Sequence, residues 1–298
     1  MPGRTRPTAR RTEMAAGHAG AARLPGHRRA VAARACLILA GAGLVAGCGV
    51  GRAPARPPIR YVRQSAEKTY GDCAAGNDRC TRIMLRWPLI AVAPIPAAAE
   101  SIGAFIRSTL LQPYDGGAPL ANEDSVMAGF IEAYRAFAAG SWGGPSIPWW
   151  FERRIEALGE TLGVASLAIT ERGFLGGAHP NSTTRFANFD VERGRLLRRS
   201  DLLREAARAR LDTLGERAFR RVRRIPHQMD LNAAGFWFKD GRFRLNDNVA
   251  VTPTGLLFFF NAYEIGPYAL GATEVSLPWA EVRDLVRPEG PLARNGGR

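Results

Sequence analysis

The chain has 298 residues, of which 46% are hydrophobic, so it can bury a sizeable core and its composition excludes a disordered protein. Its formal net charge of +14 suggests nucleic-acid binding, but half of this excess lies in residues 1–47, where eight arginines accompany one glutamate. The rest is spread along the chain without a zinc-finger or helix-turn-helix pattern, so we expect solvated helix faces and turns and no nucleic-acid partner.

The N-terminal region has the pattern of a bacterial lipoprotein signal. Basic residues 1–34 precede an apolar stretch, residues 35–46, that is too short for the ~20 apolar residues of a membrane span. The letters VAGC at residues 45–48 resemble a lipobox, in which the cysteine, here Cys48, is lipidated and becomes the first mature residue. An uncleaved signal anchor with an incidental cysteine is the alternative, and Met14 is an alternative start.

A lipoprotein signal peptide is therefore predicted over residues 1–47 and a Pro-rich tether over 48–60. Gly49, rather than aspartate, follows the lipid-bearing cysteine, which permits sorting to the outer membrane in many Gram-negative bacteria. We expect an exported protein that is lipid-anchored in the cell envelope, in the outer membrane and facing the periplasm.

Two further cysteines, Cys73 and Cys80, are separated by a turn-rich spacer. The spacing suits a small disulfide loop, which is expected only in an oxidising compartment. A reduced pair in a cytosolic loop is the alternative. Because the N-terminus independently indicates export, the disulfide is favoured.

The remaining chain alternates helical and strand patterns without a regular βαβ order, which predicts an α+β fold with a mostly antiparallel sheet and helices packed on one face. An N-terminal α/β part over 61–160, a C-terminal domain over 161–290 and a disordered tail over 291–298 are expected. The predicted elements begin with a strand over 81–92, which Pro88 places at an edge or bulge, a helix over 97–111, and a helix that is capped by Asn122 or Ser125 and runs through 138. Strands over 149–158 and 163–174, joined by a turn at Gly159, and a strand over 183–191 follow. The last predicted elements are a helix over 202–222 capped by Ser200 and Asp201, a hairpin of 242–251 and 256–260, a strand over 273–277 and a helix over 279–286.

The stretch GGAHPN at residues 176–181 is the first of two that indicate a working surface. Gly176 and Gly177 tolerate positive φ, and the residue before a proline avoids the helical region, so the backbone should turn here. We expect the turn to hold His179 and Asn181 at a fixed angle, with Gly177 at φ > 0.

The second stretch, NAYEIGPY at residues 261–268, follows an apolar run that predicts a buried strand. A Gly-Pro break leaves Tyr263, Glu264 and Tyr268 at the mouth of this strand. Turns of an α+β domain collect at the ends of its sheet, so we expect His179 to lie within about 10 Å of Glu264 or Tyr263.

The residues around both stretches resemble the RsiV-like C-terminal domain, domain-of-unknown-function family 3298. The resemblance covers residues 163–287 and combines two runs of motifs. The matching residues are GGAH at 176–179, NFD at 188–190, Gly194, Leu197, DLL at 201–203, TPTGL at 252–256, Phe259, Asn261, YEI at 263–265, PY at 267–268, Gly271, EV at 274–275 and PW at 278–279.

The resemblance implies a binding role. In RsiV this domain is the extracytoplasmic part of an anti-sigma factor and binds lysozyme, and the family also occurs beside peptidoglycan deacetylase domains. This chain shows no sigma-binding segment, no transmembrane helix and no deacetylase module, so anti-sigma signalling is not expected. Lysozyme-type muramidases and peptidoglycan are the candidate partners that the resemblance leaves.

No catalytic motif is present in the sequence. There is no Gly-x-Ser-x-Gly elbow and no HExxH, and the mature chain contains only His179 and His227, so no catalytic residue, metal or cofactor is predicted. Glu264, in an otherwise apolar stretch, is expected either to act as an acid with a raised pKa or to bond to nearby backbone or to His179.

These observations lead to a hypothesis with two alternatives. The leading one is a non-enzymatic, lipid-anchored envelope protein that binds through His179, Asn181, Tyr263, Glu264 and Tyr268. The first alternative is an enzyme, or an accessory of one, that acts on cell-wall glycans through His179 and Glu264. The second is a purely structural envelope lipoprotein.

Substitution Cys48→Ala should abolish incorporation of radioactive palmitate, because it removes the thiol that carries the lipid. Labelling of the wild-type protein and its variant in growing cells, followed by gel autoradiography, measures this. A variant that is still processed and labelled would contradict the lipoprotein prediction.

Overall fold

The computed structural model describes residues 56–74, 79–140 and 147–296, and from Pro57 onward the chain forms one compact unit. The predicted signal peptide with Cys48, most of the tether and the last two residues lie outside the described ranges. Within them, no helix combines the length and apolar character that crossing a membrane requires.

Six strands form one sheet in the order of the chain. Every neighbouring pair is antiparallel except β2–β3, which is parallel because the connection between these strands crosses over through two helices. The helices are α1 (Pro96–Leu110) and α2 (Glu123–Ala139). The strands are β1 (Arg60–Gly71), β2 (Cys80–Val92), β3 (Trp150–Thr161), β4 (Val164–Phe174), β5 (Asn181–Asp190) and β6 (Arg195–Leu197).

Helices α1 and α2 cover one face of this sheet. Apolar residues at helical spacing on α1, among them Ile102 and Ile106, pack with Phe130 of α2 against inward-facing strand residues such as Leu85 and Leu167. The Asn122 side chain accepts a hydrogen bond from the backbone N–H of Ser125 at 2.8 Å, which confirms the predicted N-cap of α2.

A buried arginine fixes the end of α1 to the sheet. Arg153 on β3 is 1% exposed and donates to the carbonyl oxygens of Leu110, Gln112 and Pro113, where the last turn of the helix leaves acceptors unpaired. Its Nε lies 2.5 Å from a carboxylate oxygen of Glu171 on β4. The ion pair provides a counter-charge for the buried guanidinium, so helix, β3 and β4 are joined at one point.

A second, three-stranded antiparallel sheet packs on the opposite side of β4 and β5 and has its own core with α4. Phe219 of α4 is fully buried among Phe236, Phe238, Phe243 and Phe260. The strands are β7 (Val249–Thr252), β8 (Gly255–Phe260) and β9 (Thr273–Pro278), and the remaining helices are α3 (Arg199–Leu202), α4 (Arg208–Arg223), α5 (Trp279–Val282) and α6 (Pro291–Gly296). The predicted α+β class with a mostly antiparallel sheet is confirmed.

Side-chain amides join the two sheets at the edge of β5. Strand β6 pairs with β5 only from Asn188 onward, so the earlier part of this edge has no strand partner. The Asn248 amide accepts from Phe186 N–H and donates to Thr184 C=O, both at 2.8 Å. The Asn261 amide accepts from Thr184 N–H at 2.7 Å and donates to Thr184 C=O at 3.1 Å.

The connection is reciprocal, because side chains of the large sheet bond to the edge of β7. The buried Asn188 amide donates to Val249 C=O at 2.7 Å and accepts from Val251 N–H at 3.2 Å. Ser166 on β4 donates to the same amide oxygen at 2.8 Å. We refer to Asn188, Asn248 and Asn261 as the asparagine bridge.

Predicted strand boundaries differ from the structure at several points. The turn predicted at Gly159 lies at residues 162–163, because β3 passes Gly159 with a register shift and continues to Thr161. The hairpin strand predicted from residue 242 begins at Val249, since the preceding residues form the loop that carries Asn248. The sequence pattern does not predict β1, which begins within the expected tether at Arg60.

Predicted helix boundaries also need correction. The helix expected over 202–222 is interrupted, because Leu203 is extended and pairs with Val286, and α4 begins only at Arg208. The closing helix over 279–286 ends at Val282 and continues as a short 3-10 turn. Residues 291–296 of the expected tail form α6, in which Arg294 lies 2.6 Å from the fully buried carboxylate of Asp190.

The predicted disulfide and the predicted role of Pro88 both concern β2. The sulfur atoms of Cys73 and Cys80 lie 2.08 Å apart at the start of this strand. Strand β2 is internal as far as Arg86, where its pairing with β3 ends, and Pro88 lies beyond that point. The edge prediction therefore applies only to residues 87–92, nearly half of the strand.

Substitution Asn248→Ala should lower the free energy of unfolding by about 2–4 kcal/mol, because it leaves Phe186 N–H without its acceptor and removes one of the two amide donors from each of the carbonyls of Thr184 and Phe259. Urea denaturation followed by circular dichroism measures the change. Asn181→Ala, at an exposed position on the same strand as Thr184, is the matched control and should stay within about 0.5 kcal/mol of wild type. Equal effects of the two substitutions would show that the asparagine bridge does not hold the sheets together.

Candidate functional site

The two predicted stretches come together at one end of the large sheet. Residues 175–180 connect β4 to β5, and residues 261–272 connect β8 to β9. Because Asn261 bonds to Thr184 of β5, the start of the second loop is fixed beside the strand that follows the first. The expected proximity is confirmed by the contacts between their side chains.

Three aromatic side chains form the centre of this site, and we refer to His179, Tyr263 and Tyr268 as the ring cluster. The His179 ring stacks on Tyr268 with a centroid distance of 3.7 Å and an angle of 18°. Its Nε2 lies 3.0 Å from the Tyr263 hydroxyl, and the Tyr268 hydroxyl donates to Pro180 C=O at 2.7 Å. Stacking and hydrogen bonds therefore hold all three rings in place.

The hydrogen bonds indicate which nitrogen of the neutral His179 ring carries the proton. His179 Nδ1 lies 3.0 Å from Pro180 C=O, which can only accept, so Nδ1 carries a proton. In the neutral ring Nε2 is then the acceptor, and the Tyr263 hydroxyl donates to it. Both ring nitrogens are thus engaged within the protein.

Tyr263 has an unusual backbone conformation, with φ at 68°. A bulky residue in this left-handed region is strained, and such strain persists only where the surroundings hold it. Here a turn holds it, since Glu264 N–H donates to Asn261 C=O at 3.2 Å and Asn261 N–H donates to the Glu264 carboxylate at 2.8 Å. The turn leaves the Tyr263 side chain 54% exposed.

Glu264 has a structural role in this turn. One carboxylate oxygen accepts from Asn261 N–H at 2.8 Å, and the other accepts from the Asn246 amide at 2.7 Å. The residue is exposed, so the expected apolar surroundings are absent. Of the alternatives predicted for Glu264, the structure favours the hydrogen bond to nearby backbone, and its bonds lead to asparagines rather than to His179.

The glycine turn also differs in detail from the prediction. The positive φ, 79°, belongs to Gly176 and not to Gly177, so the conformation predicted for Gly177 is wrong. A Cβ at Gly176 would lie 3.2 Å from Trp149 Nε1, whereas a Cβ at Gly177 would have no atom within 4 Å. Asn181 is exposed at the first position of β5, outside the ring cluster, and its binding role stays a prediction.

Comparison with known protein families finds a match in the C-terminal part of the chain. The family model described as "Protein of unknown function (DUF3298)" matches residues 200–280, which include the second loop. Residues 200–280 of this chain are therefore similar to the DUF3298 family. The family expected from the sequence is thereby confirmed, and no curated protein sequence matches the chain.

Two crystal structures of DUF3298 family proteins resemble the fold. The protein from Bacteroides fragilis is 16% identical, with 80% of this chain and 96% of that chain covered and a TM-score of 0.62. The protein from Pseudomonas aeruginosa PAO1 is 17% identical, with 78% and 96% covered and a TM-score of 0.57. At these identities the similarity establishes the DUF3298 fold and does not assign a ligand.

Sequence reasoning misses one exposed aromatic residue beside the ring cluster. Trp237 N–H donates to Ile265 C=O at 3.0 Å, which places it next to the second loop, and the residue is 52% exposed. Its neighbours Phe236 and Phe238 are buried. The three consecutive aromatic letters FWF show no alternation and lie outside the strands, so the sequence contains no signal that the middle ring faces solvent.

Apolar side chains also surround the glycine turn. Leu175 is 42% exposed, and Phe137 of α2 is 50% exposed with its ring close to Gly176. In the described ranges no group of three or more His, Cys, Asp or Glu side chains is arranged to hold a metal ion. The surface at this end of the large sheet is thus aromatic and apolar, with polar tips.

Substitution Gly176→Ala should lower the free energy of unfolding by about 1–2 kcal/mol, because an L-residue at this φ is strained and its Cβ would crowd Trp149. Gly177→Ala is the matched control and should change it by less than about 0.5 kcal/mol. Chemical denaturation of both variants provides the measurement. A larger cost at Gly177 than at Gly176 would mean that the turn has a different conformation in solution.

Proposed function

We propose that this protein is a lipid-anchored binding protein of the cell envelope that recognises a lysozyme-type muramidase or peptidoglycan through the ring cluster. The observation that carries the proposal is the set of mutually locked rings of His179, Tyr263 and Tyr268, in which Tyr263 is exposed and the other two are half-buried. Rings that are already held in one geometry lose little conformational entropy when a ligand packs on them. Aromatic side chains with a polar tip are also enriched at binding interfaces.

The position of the ring cluster supports the proposal further. Tyr263 is kept in a strained conformation that leaves its ring exposed, and strain of this kind concentrates at sites of ligand contact. Two further exposed apolar side chains belong to the same region: Leu175 begins the first loop, and Trp237 bonds through its backbone to the second loop. Such a surface suits the apolar faces of sugar rings and the apolar centre of a protein interface.

The alternative, an enzyme acting on cell-wall glycans, receives less support. A general base needs a free nitrogen or oxygen within reach of its substrate, but both nitrogens of His179 are engaged by Pro180 and Tyr263. The Glu264 carboxylate likewise bonds to Asn246 and Asn261. These contacts favour fixed geometry over proton transfer.

The proposal is tested with a soluble form that begins at Gly49. Tyr263→Ala and His179→Ala should each weaken binding to purified sacculi or to a lysozyme-type muramidase by at least about tenfold, since each removes a ring that is exposed or supports an exposed one. Co-sedimentation measures binding to sacculi and biolayer interferometry measures binding to the muramidase. Leu89→Ala is the control and should bind as wild type does. Leu89 is an exposed apolar residue near the C-terminal end of β2, away from the ring cluster.

Three outcomes would contradict the proposal. Absence of binding to both probes would leave a purely structural lipoprotein. Binding that is unaffected by both ring substitutions would place the contact elsewhere. Release of muropeptides by wild type, lost in a folded His179→Ala variant, would establish the enzyme instead.

A further inference from the structure

The large sheet has a second exposed region, on the face opposite α1 and α2. Side chains of a strand alternate between faces, so Ile83 and Leu85 point toward the helices while Arg82, Met84 and Arg86 point away. The small sheet contacts β4, β5 and part of β3, and on the remaining face lies a groove of about 490 Å³. Six of the side chains that line it are Arg82, Met84, Arg86, Trp150, Glu152 and Arg154.

The groove carries more positive than negative charge. Three of these side chains are guanidinium groups and one is a carboxylate. Arg86 and Arg154 both pair with Glu152, at 3.4 and 2.8 Å. Arg82 pairs with Glu67 of β1 at 3.1 Å.

The three guanidinium groups keep donors directed at solvent. The side chains of Arg82, Arg86 and Arg154 are 50%, 46% and 36% exposed, whereas that of Glu152 is only 18% exposed. A guanidinium has five N–H donors, and the ion pair to Glu152 or Glu67 uses few of them. The hydrogen bond that Arg154 donates to Glu152 raises the pKa of Arg154, and partial burial opposes this, so this arginine is held as a cation.

We infer that this groove binds a sugar that carries a carboxylate, with Arg86 and Arg154 on the carboxylate and Trp150 against the sugar ring. A guanidinium presents paired N–H groups whose spacing matches the two oxygens of a carboxylate. The indole offers a flat apolar face for the pyranose, and Met84 adds an adaptable apolar contact. The volume suits a ligand of one to three sugar units.

This site is separate from the ring cluster and goes beyond the proposed function. It is built on β2 and β3, whereas the ring cluster lies on the loops after β4 and β8. The two are independent, since the groove can bind an acidic sugar even if the ring cluster has no partner. Variants of each site therefore serve as controls for the other.

Isothermal titration calorimetry on the form that begins at Gly49 tests the inference with three probes. N-acetylmuramic acid, a sugar that carries a free lactyl carboxylate, should bind. The neutral trisaccharide of N-acetylglucosamine should bind at least tenfold more weakly because it lacks the anion. Inorganic phosphate should also bind at least tenfold more weakly because it lacks the sugar ring.

Substitutions locate the binding. The double substitution Arg86→Gln and Arg154→Gln should weaken N-acetylmuramic acid binding at least tenfold, and Trp150→Leu should weaken it without changing the affinity for phosphate. Arg135→Gln, at a half-exposed arginine of α2, is the matched control and should have no effect. If the double variant melts early, the single substitution Arg86→Gln makes the same test at the more exposed of the two arginines.

Several results would overturn the inference. These are no binding of N-acetylmuramic acid, equal affinity for the neutral trisaccharide, tighter binding of phosphate, or wild-type affinity in the arginine variants. Loss of N-acetylmuramic acid binding in a folded His179→Ala variant would also overturn it, because the acidic sugar would then occupy the ring cluster.

Discussion

The free edge of β5 is the constraint on which the arrangement of the two sheets depends. Backbone groups of Thr184 and Phe186 point away from β4, and β6 is too short to reach them. Buried or half-buried peptide groups without partners destabilise a fold, so they require other donors and acceptors. The amides of Asn248 and Asn261 meet this requirement because an amide carries both a donor and an acceptor, as a peptide group does.

This junction positions both exposed sites. Asn261 follows β8 and begins the loop that carries Tyr263 and Glu264. The amide that joins the two sheets therefore also fixes the position of the ring cluster. The small sheet, fixed in this way over β4 and β5, leaves the outward face of β2 and β3 uncovered, where the arginine groove lies. A side-chain contact between sheets thus determines which surface is buried and which is available to a ligand.

The sequence predicts the features that follow from local patterns. Helices α1 and α2 have clear apolar periodicity and α2 has a capping asparagine, and the turn at residues 252–255 has the expected Pro and Gly. The two motif stretches also indicate their own proximity, because each is a turn at a sheet end. Strand β1 is missed because its residues are mostly polar and it lies at an edge, where little apolar surface is buried.

Features that depend on contacts between distant parts of the chain cannot be predicted from local sequence patterns. The interruption of the helix expected from residue 202 results from the pairing of Leu203 with Val286, more than eighty residues away. The folding of α6 depends on the buried charge of Asp190. Similarly, the asparagine bridge is part of the family motifs at Asn188 and Asn261, but a motif alone does not separate a structural amide from a ligand contact.

The position of Pro88 affects how copies of this protein behave toward one another. On β2 the N–H of Arg82 points toward β3, and the alternation of the strand directs the nitrogen of Pro88 to the same side, where β3 no longer pairs. An unpaired strand edge is a template onto which a strand from another molecule can add, the first step of edge-to-edge aggregation. Pro88 offers no donor to an incoming strand and is itself buried, so strand addition at this position is disfavoured at no cost to the ladder of the native sheet.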